Sequence, residues 1–319
     1  MRRVLVIGTR GSDLALWQSN WVKRQLERIF RKLVVRLEIV RTTGDKVGEP
    51  LLSNVGVKGV FTKEIDIALY ERRIDLAVHS LKDITTEIPE GLVIGAVTKR
   101  DDVRDVFVKH PDKDHRSLDS LPHGAIVATG SLRRRCQLLQ LRPDLMVENL
   151  RGNVPTRIQK LDESTWDGII LAKAGLDRLG LSDRITEILP TDVMVPAVGQ
   201  GALGLEVRAE DDEARSYVSR LNDPSTEAAV RAERSLLCHL QGGCQVPIGA
   251  LGRAEGNQLT LRAMVGSLDG TEVLRGRIHG RVEEPEALGA RLAETLLLSG
   301  GKKILSYIRG KEIVEIPYA

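Results

Sequence analysis

The run Gly242-Gly243-Cys244-Gln245-Val246-Pro247 frees the backbone with two glycines after a helical stretch and fixes the exit with proline. A cysteine on such a loop can be exposed, and its thiolate is a strong nucleophile. A helix-ending glycine turn with an incidental thiol accounts for the run equally well. Cys136 and Cys238 fall inside helical patterns, where a small buried residue is the expected role.

A second set of reactive types is His79-Ser80-Leu81-Lys82-Asp83, directly after the apolar run Leu76 to Val78. A strand terminus facing a crevice suits a catalytic acid, whereas spacing alone favours a solvated Lys-Asp pair. His79 reads as a satisfied structural histidine. A third set is arginine at strand ends or helix starts: Arg10, Arg133, Arg134, Arg151, Arg157 and Arg178. Arginine forks and helix N-termini both favour carboxylates and phosphates, so these suit a shared anion site or an ordinary charged surface. Gly199-Gln200-Gly201-Ala202-Leu203-Gly204 matches a dinucleotide-binding pattern, but the strand-like Leu205 to Arg208 follows where a helix is required. It reads as backbone passing between lobes. Cys238, His239 and Cys244 lack a zinc spacing, and no metal site is expected.

These residues need elements to hold them. Arg2 to Gly8 and Val34 to Val40 read as strands around a helix carrying Leu14, Trp17, Trp21 and Leu26, with Ser12 or Asp13 as N-cap. Thr42 to Lys63 is rich in glycine and charge and reads as a mobile loop. Strand-like runs recur at Leu76 to Val78, Leu92 to Val97, Ala125 to Ala128, Met146 to Asn149 and Gly168 to Leu171, with a helix at Leu132 to Leu141. This alternation predicts two α/β lobes meeting near Lys99 to Asp102, with a ligand in the crevice between them.

After Asp223-Pro224, a helix with Ala229, Ala232, Leu236 and Leu240 on one face is expected. Short alternating segments at Gly249 to Arg253, Leu259 to Leu268 and Glu272 to His279 predict an antiparallel sheet, and Pro285 to Leu298 a final helix. The expected class is therefore α/β, with a smaller C-terminal α+β domain.

Composition narrows the function classes. The 319 residues carry a net charge of +3, with 3% aromatic residues. That leaves neither the general basicity nor the stacking platforms that nucleic-acid binding uses. No apolar run approaches the ~20 residues of a membrane span, and Met1 to Gly8 reads as a strand rather than a signal peptide. Three cysteines without a close pair suggest reduced thiols in a cytoplasm.

Taken together and in order, the stretches Thr9 to Trp17, His79 to Asp83, Ala128 to Cys136, Asn149 to Arg157, Ala174 to Arg178, Pro196 to Gly204 and Gly242 to Gly249 resemble the porphobilinogen deaminases, or hydroxymethylbilane synthases. The resemblance implies three domains: 1–99 with 200–221, 100–199, and 222–319. The first two are hinged lobes like those of periplasmic binding proteins. It implies a transferase of tetrapyrrole (haem) biosynthesis, monomeric and cytoplasmic, that condenses four porphobilinogen molecules on a covalent dipyrromethane primer and releases hydroxymethylbilane by hydrolysis.

On this resemblance the primer is attached through a thioether to Cys244, and Asp83 is the catalytic, buried carboxylate. Further primer contacts fall on Ser80, Lys82, Asp83, Thr129, Ser131, Arg133 and Arg134. Substrate contacts fall on Arg10, Ser12, Lys58, Arg151, Arg157, Arg178 and Gln200, and the loop holding Lys58 and Phe61 is a mobile cover. Leu81 stands where the family often has methionine, and Pro155 where glycine is expected. A non-catalytic, hinged anion-binding protein is the rival reading, and a thiol hydrolase pairing Cys244 with His239 a third.

Overall fold

The computed structural model describes residues 4–41, 62–242 and 246–311. Lys58, Phe61 and Cys244, and with them the expected mobile cover and the attachment loop, lie outside the described residues. The chain forms two compact units, Met1–Asp101 with Gly199–Glu227, and Asp102–Val198 with Ala228–Ala319.

The first unit is built on a five-stranded sheet. Strands β1 (Val4–Thr9), β2 (Val34–Ile39), β3 (Leu76–Ser80) and β4 (Leu92–Val97) are joined by β10 (Leu203–Arg208) in the order β2-β1-β3-β10-β4. β1 runs parallel to β2 and β3, and β10 is antiparallel to both its neighbours. Helix α1 (Asp13–Ile29) starts at Ser12, whose hydroxyl accepts from the Ala15 amide. It buries Val22 and Leu26 against Leu5, Ile7, Leu76 and Val78. Because strand side chains alternate, Ala77 and His79 point to the other face. There Ala77 joins Ile65 and Leu69 of α2 (Lys63–Tyr70), a helix the sequence reading did not anticipate.

The second unit repeats the plan. Strands β5 (Asp105–Lys109), β6 (Ile126–Ala128), β7 (Met146–Glu148), β8 (Gly168–Ala172) and β9 (Glu187–Ile188) are ordered β7-β6-β8-β5-β9. Three parallel strands are again followed by one antiparallel strand, here β5. In both sheets the first parallel strand lies between the second and third. Helices α3 (Leu132–Leu141), α4 (Val154–Asp162) and α5 (Lys173–Arg178) follow β6, β7 and β8 in turn. This duplicated topology has no fixed-period signature in the sequence.

Helix α6 (Asp212–Val218) completes the first unit's core with Tyr217 and Val218. Helix α7 (Pro224–His239) begins at the expected proline, with Asp223 accepting from the Thr226 amide. Its Ala229, Ala232 and Leu236, with Leu240 just beyond its end, pack beneath the antiparallel sheet β11 (Ile248–Glu255), β12 (Gln258–Gly266), β13 (Val273–Arg281). Leu259, Leu261, Ala263 and Val265 on alternate positions of β12 meet Leu288 and Leu292 of α8 (Pro285–Leu296). That helix is not the final one: after Gly300, with φ +115°, the chain continues as α9 (Lys302–Lys311). Cys136 of α3, Val195 and Met264 of β12 form a small buried cluster where this sheet meets the rest of its unit.

Among the described residues, no helix is long and apolar enough to cross a membrane.

Candidate functional site

In each unit the expected site residues collect where parallel strands end. In the first, Arg10 and Ser12 follow β1, while Ser80 closes β3 and leads into a single 3-10 turn, Leu81–Asp83. In the second, Thr129 and Ser131 follow β6, Arg151 follows β7, and α5, which ends at Arg178, follows β8. Carboxyl ends of parallel strands are where α/β sheets offer free backbone groups and helix N-termini to ligands.

Ser80 is fixed from the side, since Gln18 Nε2 on α1 donates to its Oγ at 2.7 Å. Leu81 is buried and anchors the turn, and its amide donates to the Ala202 carbonyl. A leucine there keeps an apolar plug, which answers the departure from methionine. Lys82 is half-buried and Asp83 is exposed. The expectation of a buried Asp83 is therefore corrected. The short turn after β3 points its last residue outward, and sequence position at a strand end does not determine that direction. His79, on the opposite face, is buried with Nε2 3.1 Å from Glu206 Oε2 of β10, the satisfied histidine expected of it.

The glycine-rich decoy ends in β10 and not a helix. Gly199 and Gly201 take φ +71° and +90°, and a Cβ on Gly201 would stand 2.8 Å from the Asp101 carbonyl. Gln200 between them is buried, and its carbonyl accepts from Arg100 Nε at 2.7 Å.

In the second unit, Ser131 caps α3 by accepting from the Arg134 amide, and the Thr129 hydroxyl accepts from the Ser131 amide at 3.3 Å. Arg133 and Arg134 are buried on one carboxylate. Arg133 Nη1 donates to Asp105 Oδ2 at 2.7 Å and to the Val195 carbonyl. Arg134 Nη2 donates to Asp105 Oδ1 at 2.8 Å, and its Nη1 to the Ile170 carbonyl. Burial would raise the Asp105 carboxyl, but the two guanidiniums outweigh it and hold it well below the usual carboxylate range. These arginines thus have an internal counter-charge that the sequence reading missed. Its signal was an acidic residue opening an apolar strand. Arg134 Nε remains a buried donor without a hydrogen-bond partner among the described residues.

Arg151 is half-buried, and Arg157 in the first turn of α4 donates from Nε to the Gly152 carbonyl. Pro155 sits in that same first turn, under the Asn153 cap, where its missing N–H costs nothing. Arg178 is buried as the last residue of α5. It does not belong to a strand end or helix start as expected, but to a helix C-terminus that favours a cation. Cys136 is buried, with its thiol pushed up to about 12 by desolvation. Cys238, expected to be buried, is exposed, because its position faces away from the side of α7 that carries Ala232 and Leu236. His239 is exposed and its Nδ1 lies 2.8 Å from the Ser235 carbonyl.

The comparisons with known proteins agree along almost the whole chain. A family model described as "Porphobilinogen deaminase, dipyromethane cofactor binding domain" matches residues 5–216, and one described as "Porphobilinogen deaminase, C-terminal domain" matches residues 228–298. Among relatives, the porphobilinogen deaminase of Chlorobaculum tepidum is 52% identical over 97% of this chain and 99% of its own. That of Desulforudis audaxviator is 51% identical over the same shares. Among solved structures, a glycine-to-alanine mutant of arginine-bound ArgBP from T. maritima covers 69% of this chain and 94% of its own at 16% identity, with a TM-score of 0.37. A YaeC-family lipoprotein from Enterococcus faecalis covers 69% and 91% at 12% identity, with a TM-score of 0.39. Identity of about half the residues over 97% of this chain, together with family models that match residues 5–216 and 228–298, shows that the chain belongs to the porphobilinogen deaminase family.

Proposed function

We propose that this chain deaminates porphobilinogen and condenses four molecules head to tail on a dipyrromethane primer, releasing hydroxymethylbilane by hydrolysis. Membership of an enzyme family sets aside a non-catalytic anion-binding role. The observation that carries the residue assignment is the exposed Asp83 carboxylate at the carboxyl end of β3, on a turn pinned by Leu81 and Ser80.

The described residues fit the primer. Every pyrrole of this class carries an acetate and a propionate, and Arg134 Nε is a buried donor in need of an acceptor. When bound, the primer supplies the pyrrole carbon on which each substrate unit is added. The residues proposed to contact it are Thr129, Ser131, Arg134 and, through its remaining donors, Arg133, together with Ser80, Lys82 and Asp83. Cys244 attaches it.

Arg10, Ser12, Arg151, Arg157 and Arg178, with Lys58 and Gln200, bind the carboxylates of incoming substrate. The Asp83 carboxylate accepts from substrate pyrrole N–H, stabilises the cation left when ammonia departs, and takes up the proton released as each ring is added. The three-domain division 1–99 with 200–221, 100–199 and 222–319 belongs to the same reading, supported by the separate sheets. So do a cytoplasmic location, a monomeric state and the absence of nucleic-acid partners, for which the near-neutral charge speaks.

Intact-protein mass spectrometry tests the attachment. The purified protein should carry the mass of two condensed pyrrole units, and Cys244→Ser should lack it. The same addition on Cys244→Ser would refute the site.

A further inference from the structure

Beneath the turn that carries Asp83 lies a group of buried titratable side chains to which the proposed chemistry gives no task. His79 and Glu206 are paired at 3.1 Å and nearly inaccessible. Asp66, also buried, lies on α2, the helix that packs against β3 and β10, and its Oδ1 has no hydrogen-bond partner among the described residues. A carboxylate with an unmatched buried oxygen, set near a second carboxylate, is costly unless it serves a purpose or takes up a proton. All three groups belong to the first unit.

We propose that Asp66, Glu206 and His79 form a buried acid–base cluster that positions the Ser80–Asp83 turn, and that gain or loss of one proton within it moves Asp83. The connection is short. His79 lies opposite Gly204 and Ser80 opposite Leu203, so the backbone leading into the turn is laced to β10. The His79–Glu206 contact cross-links the same two strands through their side chains. Any change in that contact tilts the end of β3 against β10, and Asp83 stands four positions beyond His79.

Burial and the neighbouring carboxylates favour a proton on Asp66. Its carboxyl is pushed up to about 6 by burial first and by the Glu206 charge next, with Glu64 adding to the rise; His79 and a Thr62 hydrogen bond oppose it. Tyr70 on the same helix is raised in turn by burial and by Asp66, Glu206 and Glu90. From β10, Arg208 is committed elsewhere, donating to the carbonyls of Leu69 and Ile74 and to Asp75 and Asp211. That buried guanidinium is thus occupied in holding the C-terminal end of α2 and the segment after it.

The effect on rate rests on the reading of Asp83 as the catalytic carboxylate; the link between cluster and turn does not. Heteronuclear NMR of the full chain separates the two. In the wild type, the Ser80–Asp83 amide resonances should titrate with a midpoint near 6, Asp66→Asn should flatten that titration, and Glu206→Gln should move the midpoint lower by removing the charge that raises Asp66. Turn amides that ignore pH, or the same titration in Asp66→Asn, would overturn the link. In turnover, Asp66→Asn should lower kcat by about tenfold to a hundredfold with KM little changed, the scale of a misplaced reacting group, and Asp66→Glu should recover part of it. Unchanged kcat in Asp66→Asn, alongside an inactive Asp83→Asn, would overturn the positioning role. An active Asp83→Asn would instead strike the functional reading and leave the NMR result to decide the link. Should Asp66→Asn fail to fold, Glu206→Gln gives the same decision by its midpoint.

Discussion

Gln18 Nε2 donates to Ser80 Oγ at 2.7 Å, tying the first helix to the strand end that leads into Asp83. Gln18 is almost fully buried, so removing its acceptor leaves an amide donor unsatisfied. Ser80→Ala should therefore cost about 1–3 kcal/mol, more than an ordinary surface hydroxyl. Denaturant unfolding against the wild type measures it, and Ser80→Thr should recover most of the loss.

Asp83 is exposed and stands in a three-residue turn. Asp83→Asn should leave stability within roughly 0.5 kcal/mol while lowering turnover by at least about a hundredfold. Thermal unfolding and steady-state rates together check this. Wild-type turnover by the variant would sink the assignment.

Asp105 is the shared counter-charge of two buried arginines. Asp105→Ala should be far more damaging than any single surface change, by about 3–5 kcal/mol, because two buried cations lose their partner. A large fall in unfolding temperature is the expected result. Loss of less than about 1 kcal/mol would mean that the arginines find other acceptors.

Asp66 gives a pH signature in stability. Its carboxyl rises from 3.8 to about 6 on folding, so the folded state binds the extra proton between those values. Stability from this group is therefore highest below 3.8, falls as pH rises through 6, and carries a constant penalty above. Asp66→Asn removes the penalty and should gain up to about 3 kcal/mol relative to wild type at neutral pH that it does not gain under acid conditions. Denaturation midpoints at two pH values decide it. A more stable yet slower enzyme is the combined outcome expected of a residue retained for positioning.

The two described cysteines should react very differently. Cys238 is exposed, whereas Cys136 is buried with its thiol pushed up to about 12. Alkylation of the native protein near neutral pH, read by peptide mapping, should label Cys238 and spare Cys136. Labelling of Cys136 at a similar rate would show that the α3 contact with β12 opens readily.

Much of the frame was visible in local pattern. The Ser12 cap, the apolar face of α7, the alternation of β12 and the rejection of the glycine-rich decoy all rest on periods of a few residues, which short-range sterics and burial impose. The clustering of arginine, serine and aspartate at strand ends was legible for the same reason, since strands followed by helices place their junctions predictably.

The sequence by itself thus determined which residues stand at the ends of parallel strands and which reactive types they are. The tertiary structure decided their state. Asp105 meets Arg133 and Arg134 because β5 inserts antiparallel beside β8. His79 meets Glu206 because β10 returns beside β3. Such partners lie 28 to 127 positions apart. Charge pairing over that separation is set by strand order and register, which no local period encodes, and the same order left Asp83 exposed while burying the groups beneath it.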